Sequence, residues 1–153
     1  MFSVLRVESK MKSKITVKKV SRVKVADFRA LYIDAGWWEK DYDRNTAFIN
    51  KAVKGSFCFV GAFDKGRMIG MGRALSDGCS DAYIQDVVVL KKYRGSGIGG
   101  KIVAKIIERL SFHGVDWIGL IAEPDSIGFH SRNGFKKMPR HLPMRLKSGR
   151  GSV

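Results

Sequence analysis

Hydrophobic and polar positions alternate along Ile15–Val20, and that period of two predicts a first strand. From Val25 the apolar positions Val25, Phe28, Leu31, Tyr32 and Ala35 recur at three- and four-residue intervals, so a helix is expected there, stopped by Gly36. Asp43 can cap a second short helix that runs to about Val53 and ends at Gly55. Two β-rich runs follow, Phe57–Phe63 and Arg67–Leu75, joined by Asp64-Lys65-Gly66, a turn composition that predicts a hairpin. Beyond the polar loop Ser76–Asp81, the segment Ala82–Leu90 carries Tyr83, Ile84 and three successive valines, the pattern of a central strand covered on both faces. Ile98, Ile102, Val103, Ile106, Ile107 and Leu110 then form one apolar helical face, and Trp117–Ala122 supplies another strand. A short helix near Ser126–Asn133, closed by Gly134, and strands near Phe135–Met138 and Met144–Lys147 complete an α+β domain.

The chain has 153 residues, of which 44% are hydrophobic and 28% charged, values suited to one folded domain over 1–153 rather than a disordered or low-complexity chain. No window approaches 18 uninterrupted apolar residues and no apolar leader is visible, so no membrane association is expected and the cytoplasm is the expected location. Cys58 and Cys79 read as unpaired thiols, and no metal site is expected, since His113 and His141 lack partners at ligand spacing. The net charge of +15 sits at the ends. Residues 1–24 hold eight basic side chains against Glu8, and residues 126–153 hold seven and no acid. Residues 1–14 read as a basic extension and 148–153 as a tail, and such ends attract polyanions in a salt-dependent way.

Chemistry concentrates in Arg94-Gly95-Ser96-Gly97-Ile98-Gly99-Gly100, between the valine-rich strand and the amphipathic helix. Glycines there let the backbone turn tightly and present unpaired N–H groups beside a helix N-terminus, so a phosphate or pyrophosphate is the expected guest. Lys91, Lys92, Arg94 and Lys101 crowd the same turn. Gly95 to Lys101 has the spacing of a triphosphate-binding loop, but Ile102 stands where a magnesium-binding hydroxyl is needed. Gly95, Gly97 and Gly100 also satisfy the dinucleotide fingerprint, with Glu123 near the ribose-binding position. Against that stand the four residues between strand and glycines, the preceding meander, and a remainder too short for a doubly wound sheet.

The stretch Arg94-Gly95-Ser96-Gly97-Ile98-Gly99 resembles the signature [Q/R]-x-x-G-x-[G/A] of the GCN5-related N-acetyltransferase (GNAT) family. Val87-Val88-Val89 before it, and Ser126-Ile127-Gly128-Phe129-His130-Ser131-Arg132-Asn133-Gly134-Phe135 after the fifth strand, resemble the family's other motifs. The resemblance implies a mixed central sheet of about six to seven strands flanked by about four helices, and acetyl-coenzyme A as acyl-donor cosubstrate. It places Val87, Val88, Val89, Arg94, Gly95, Ser96, Gly97, Ile98, Gly99, Gly100, Lys101, Ser126 and Phe129 at the coenzyme, with the Val88 amide taken as the oxyanion donor.

The same resemblance puts Asp86 in the region of the family's base, and His130 where the leaving-group tyrosine usually follows phenylalanine. Gln85 occupies a position that is glutamate in polyamine-type members and cannot accept a proton; alternation turns it and Asp86 to opposite faces unless a bulge intervenes. Tyr32, Trp37, Trp38, Arg73 and Gln85 are the candidate acceptor-binding residues, the aromatics with Glu39, Asp41 and Asp43 being suited to a cationic amine. The expected function is direct acetyl transfer to a primary amine, on a small molecule or a protein, in a ternary complex; a homodimer is compatible with it. The alternative is a basic nucleic-acid-associated or regulatory module on the same fold with little catalysis.

Overall fold

The computed structural model describes residues 14–146. The basic extension, all but its last residue, and the tail beyond Leu146 lie outside these described residues. The hairpin forms as its turn composition requires. Strands β2 (Cys58–Asp64) and β3 (Arg67–Ser76) pair up to Asp64 opposite Arg67. That leaves a two-residue turn with φ of 48° at Lys65 and 80° at Gly66, both in the left-handed region that matches the twist of the flanking strands.

Strand β1 (Thr16–Lys19) adds to β2, and β4 (Asp81–Val89) adds to β3, all antiparallel; β5 (Trp117–Gly119) joins β4 in parallel. The sheet order is β1-β2-β3-β4-β5. Helix α1 (Val25–Ala35) ends at Gly36 in the left-handed conformation, and α2 (Ala47–Gly55) follows. Helix α3 (Ile98–Phe112) makes the crossover from β4 to β5, and α4 (Ile127–Arg132) follows β5.

The two principal helices cover opposite faces. Gly72 faces α3, because a Cβ there would lie 2.9 Å from Ile102 Cγ2 and 3.1 Å from Ile106 Cδ1. Its neighbour Arg73 points the other way, toward the α1 face, as strand alternation demands. Phe28 and Leu31 of α1, Ile49 of α2, Phe59, Met68, Ile69 and Met71 of the hairpin, and Ile102, Ile106 and Leu110 of α3 are fully buried.

Three expectations fail locally. Asp43 closes a 3₁₀ turn (Lys40–Asp43) and does not cap α2, which begins beyond Thr46. Strand β5 stops at Gly119 instead of Ala122, because β4 has bent away beyond Tyr83, the last residue it pairs with β5. The sheet has five strands among the described residues, since neither Phe135–Met138 nor Met144–Leu146 is a strand. Pro139 and Pro143 remove backbone donors and split that region into pieces too short to pair. Leu142, Met144 and Leu146 are exposed there.

Candidate active site

Strands β4 and β5 share only three paired positions, from Asp81 with Trp117 to Tyr83 with Gly119, and then separate. The cause of the separation lies on β4. Between Met71 opposite Val88 and Arg73 opposite Gln85, β4 holds one residue more than β3, a β-bulge, and Asp86 there has φ of 57°. The bulge sets Gln85 and Asp86 around one guanidinium. Arg73 Nε donates to Asp86 Oδ2 at 2.6 Å, with the two side chains only 14% and 18% exposed. The Gln85 amide, with its oxygen toward the guanidinium, accepts from Arg73 Nε at 3.2 Å and from Nη2. Tyr32 Oη donates to the same Asp86 oxygen at 2.9 Å. Burial and then the Asp86 charge raise the Tyr32 pKa well above that of a free tyrosine, so its hydroxyl stays protonated.

The separated strands open a cleft of about 1040 Å³. Its floor is β4 from Tyr83 to Val89; one end is the turn carrying Arg94, Gly95, Gly97, Ile98, Gly99 and Gly100, and Ser126, Phe129 and His130 form the α4 side. Gly95 and Gly97 have φ of 75° and 79°, and a Cβ on either would meet no atom of the described residues within 4 Å, so the loop needs glycine for its conformation and leaves space open above it. Gly97 caps α3, whose first satisfied main-chain donor is Lys101, at 3.1 Å from Gly97 O. The amides of Ile98, Gly99 and Gly100 precede it in the first turn, where a helix has no internal acceptor. Open glycine space, unpaired donors and a long cleft suit the diphosphate and pantetheine arm of acetyl-coenzyme A.

Other loop residues have structural tasks. Ser96 Oγ donates to Tyr93 O at 2.6 Å, and neither Ser96 nor Lys101 lines the cleft. Arg94 lines it but is tied down, its Nε to Val89 O at 2.8 Å and its Nη2 to Asp34 Oδ2 at 2.8 Å. Asp34 also accepts from the Lys91 amide at 3.2 Å. The sequence reading missed Asp34; its signal was an acid in the last turn of a helix, where the helix dipole disfavours one unless it has a partner. Gly99 gives Phe129 room, since a Cβ there would lie 3.0 Å from Phe129 Cε2.

The Val88 amide, expected to face the acyl group, is turned toward β3. Leu90 N–H bonds Ile69 O at 2.9 Å, and Val88 opposite Met71 faces β3 by the same alternation. Val89 turns its main chain to the open side, where Val89 O meets Arg94.

Among the candidate acceptor residues, Trp37 and Gln85 line the cleft, whereas Tyr32, Trp38 and Arg73 do not. Trp38 is occupied by the protein itself: Nε1 donates to Asp43 at 3.3 Å, and the Arg29 guanidinium, itself bonded to Asp43, lies 5.2 Å from the ring centroid. His130 lines the cleft, half-buried, with Phe129 and Phe135 edge-on to its ring at 4.9 and 5.8 Å between centroids. Its Nδ1 is buried without a hydrogen-bond partner among the described residues, and burial lowers its pKa below the usual histidine value. Neither cysteine lines the cleft.

Residues 20–135 match the model of the Acetyltransferase (GNAT) family. An uncharacterized N-acetyltransferase ycf52 of Gracilaria tenuistipitata var. liui is 30% identical over 115 residues, covering 75% of this chain and 63% of that one. A GNAT-family acetyltransferase structure, SP0256 of Streptococcus pneumoniae TIGR4, superposes with TM-score 0.75 at 25% identity over 89% of this chain and 99% of its own. The structure of AAC(6')-Iy in complex with the bisubstrate analog CoA-S-monomethyl-acetylneamine shares the fold, with TM-score 0.71 at 18% identity over 89% and 100% of the two chains. The chain belongs to the GNAT acetyltransferase family.

Proposed function

We propose that this protein transfers the acetyl group of acetyl-coenzyme A directly to a primary amine, with both substrates bound together in the β4–β5 cleft. The observation that carries the reading is the continuous cleft of about 1040 Å³ running from the open glycine turn to the β4 bulge. Residues Gly95, Gly97, Ile98, Gly99 and Gly100 hold the diphosphate through main-chain N–H groups. Val87 and Val89 hold the pantetheine and acetyl groups, the Val87 amide stabilising the oxyanion that forms when nitrogen attacks the carbonyl carbon. Beyond that point Trp37, Tyr83 and Gln85 are left for the acceptor. Direct transfer is favoured because neither Cys58 nor Cys79 is in the cleft to take the acyl group. The fold neighbour named for one analogue joining CoA to an acetylated amine supports the same arrangement.

Thermal-shift titration tests this. Acetyl-coenzyme A raises the melting temperature and NAD and ATP do not, and thiol release follows when the amine panel contains the acceptor. Equal stabilisation by ATP, or a steep salt-dependent affinity for nucleic acid with no coenzyme effect, refutes the reading.

A further inference from the structure

Acetyl transfer must move protons twice: an amine in neutral solution carries one too many to attack, and the departing thiolate needs one. Two titratable side chains have been placed in the cleft for this work, Asp86 and His130. We propose that His130 carries both transfers, and that Asp86 is a positioning residue that holds the bulge through Arg73. The inference rests on the acetyl-transfer reading above and concerns which atom moves the proton.

Asp86 is engaged on its Oδ2 by two donors, Arg73 Nε at 2.6 Å and Tyr32 Oη at 2.9 Å. Its backbone sits at φ 57°, and the guanidinium also holds Gln85 next to it. Protonating that carboxylate would remove the negative charge opposite Arg73 in the part-buried network. His130 stands differently. Phe129 and Phe135 fix the ring plane, and Nδ1 is buried with no partner among the described residues, so Nε2 is the nitrogen that faces the cleft. Among the described residues no carboxylate or carbonyl stands on Nδ1 to stabilise an imidazolium.

The charged groups sharing the cleft do not pair with the imidazole among the described residues. Asp34 of α1 and Arg94 of the turn hold each other, and Asp86 of β4 holds Arg73. Lys91 of the turn, Glu123 and Asp125 before α4, and Arg132 of α4 itself line the cleft without an ion pair to the ring. Burial therefore governs His130, and the ring is neutral in neutral solution.

A neutral imidazole takes one proton from the acceptor ammonium, leaving a lone pair on nitrogen. That pair forms the C–N bond as the carbonyl π electrons move to oxygen. The C–S bond then breaks with its electron pair on sulfur, and the imidazolium gives its proton to the thiolate. The second proton on nitrogen leaves by the same ring to solvent, so the products are the amide, free coenzyme A thiol and one proton. The burial that weakens His130 as a base strengthens the imidazolium as an acid, and thiols near pKa 8.5 are well above it.

The test combines a titration with kinetics. In the wild-type protein the His130 imidazole signals, assigned by their loss in His130→Gln, titrate below the usual histidine pKa of about 6.5. In His130→Phe, kcat/KM near neutral pH falls about 100-fold and climbs with pH toward the acceptor's own ionisation, while acetyl-coenzyme A affinity by calorimetry stays within about threefold. Asp86→Asn keeps the low-pH limb of the profile. Titration at or above the usual value, an unaltered profile in His130→Phe, or loss of the limb in Asp86→Asn overturns the inference. Wild-type protein that binds no acetyl-coenzyme A and releases no thiol overturns the acetyl-transfer reading itself, a result separable from the other three.

Discussion

Replacing Gly97 and Gly114 with alanine separates backbone strain from ligand contact. The two glycines have nearly the same φ, 79° and 77°, and at each a Cβ would meet no atom of the described residues within 4 Å. Gly97 caps the start of α3 in the cleft; Gly114 follows its other end. An alanine forced into the left-handed region costs about 1–2 kcal/mol at either position. In a chain of this size that lowers the melting temperature by about 2–8 °C in both variants. The binding effects then diverge. At Gly97 the new methyl occupies the space a diphosphate needs to approach the main chain, and losing one charge-assisted hydrogen bond of about 1.5–3 kcal/mol weakens acetyl-coenzyme A about 10- to 150-fold. At Gly114 nothing is displaced, and affinity should be unchanged. Calorimetric titration of both variants, beside their melting curves, reads the difference. Equal weakening in the two, or wild-type affinity in Gly97→Ala, refutes the placement of the phosphate on this loop.

Other measurements address the bulge and the acceptor side. Arg73→Met leaves Asp86 part-buried with Tyr32 as its remaining side-chain partner, and loses about 3–5 kcal/mol in chemical denaturation; a loss under about 1 kcal/mol means the pair does not hold the bulge. Tyr32 keeps its proton in the folded state above about pH 10, where an unfolded tyrosine releases it, so its contribution is complete below that pH and is lost as pH rises further. Tyr32→Phe therefore flattens the fall in stability above about pH 10, and an identical alkaline limb would contradict a buried, protonated Tyr32 hydroxyl beside Asp86. Trp37→Ala raises KM for the amine several-fold while Trp38→Phe does not, read from initial rates at saturating acetyl-coenzyme A; the reverse order would move the acceptor outside the cleft.

Elements set by local chemistry were legible in the chain. Lys65-Gly66 fixes the hairpin by its own φ values, Gly36 ends α1, and the Ile98-to-Leu110 face lies buried against the sheet. The glycine turn was legible for the same reason, since positive φ and open donors are properties of adjacent residues. What the sequence did not disclose depends on distant partners. Nothing near Asp86 says that it bulges; Arg73, thirteen residues earlier on β3, and Tyr32, on another element, make that conformation worthwhile. The count along β4 cannot show which amides face β3; the Leu90 bond to Ile69 does. Of the aromatic and acidic residues after α1, Trp38 and Asp43 are occupied by Arg29 of the chain itself, a partner no local pattern reveals.

The bulge makes the cleft as much as the glycines do. A regular β4 would continue to pair with β5 beyond Gly119, and main-chain groups at Val87 and Val89 would be consumed in the ladder. One left-handed residue at position 86 bends the strand from its neighbour and brings Gln85 and Asp86 to the same guanidinium. That backbone strain of about 1–3 kcal/mol is offset locally, by a short ion pair and a tyrosine hydrogen bond in a part-buried setting. A carboxylate used to maintain the shape of the cleft is poorly placed to be consumed as a base in it. The same argument that explains why the strands separate therefore directs proton transfer to His130, the cleft residue whose buried Nδ1 has no hydrogen-bond partner among the described residues.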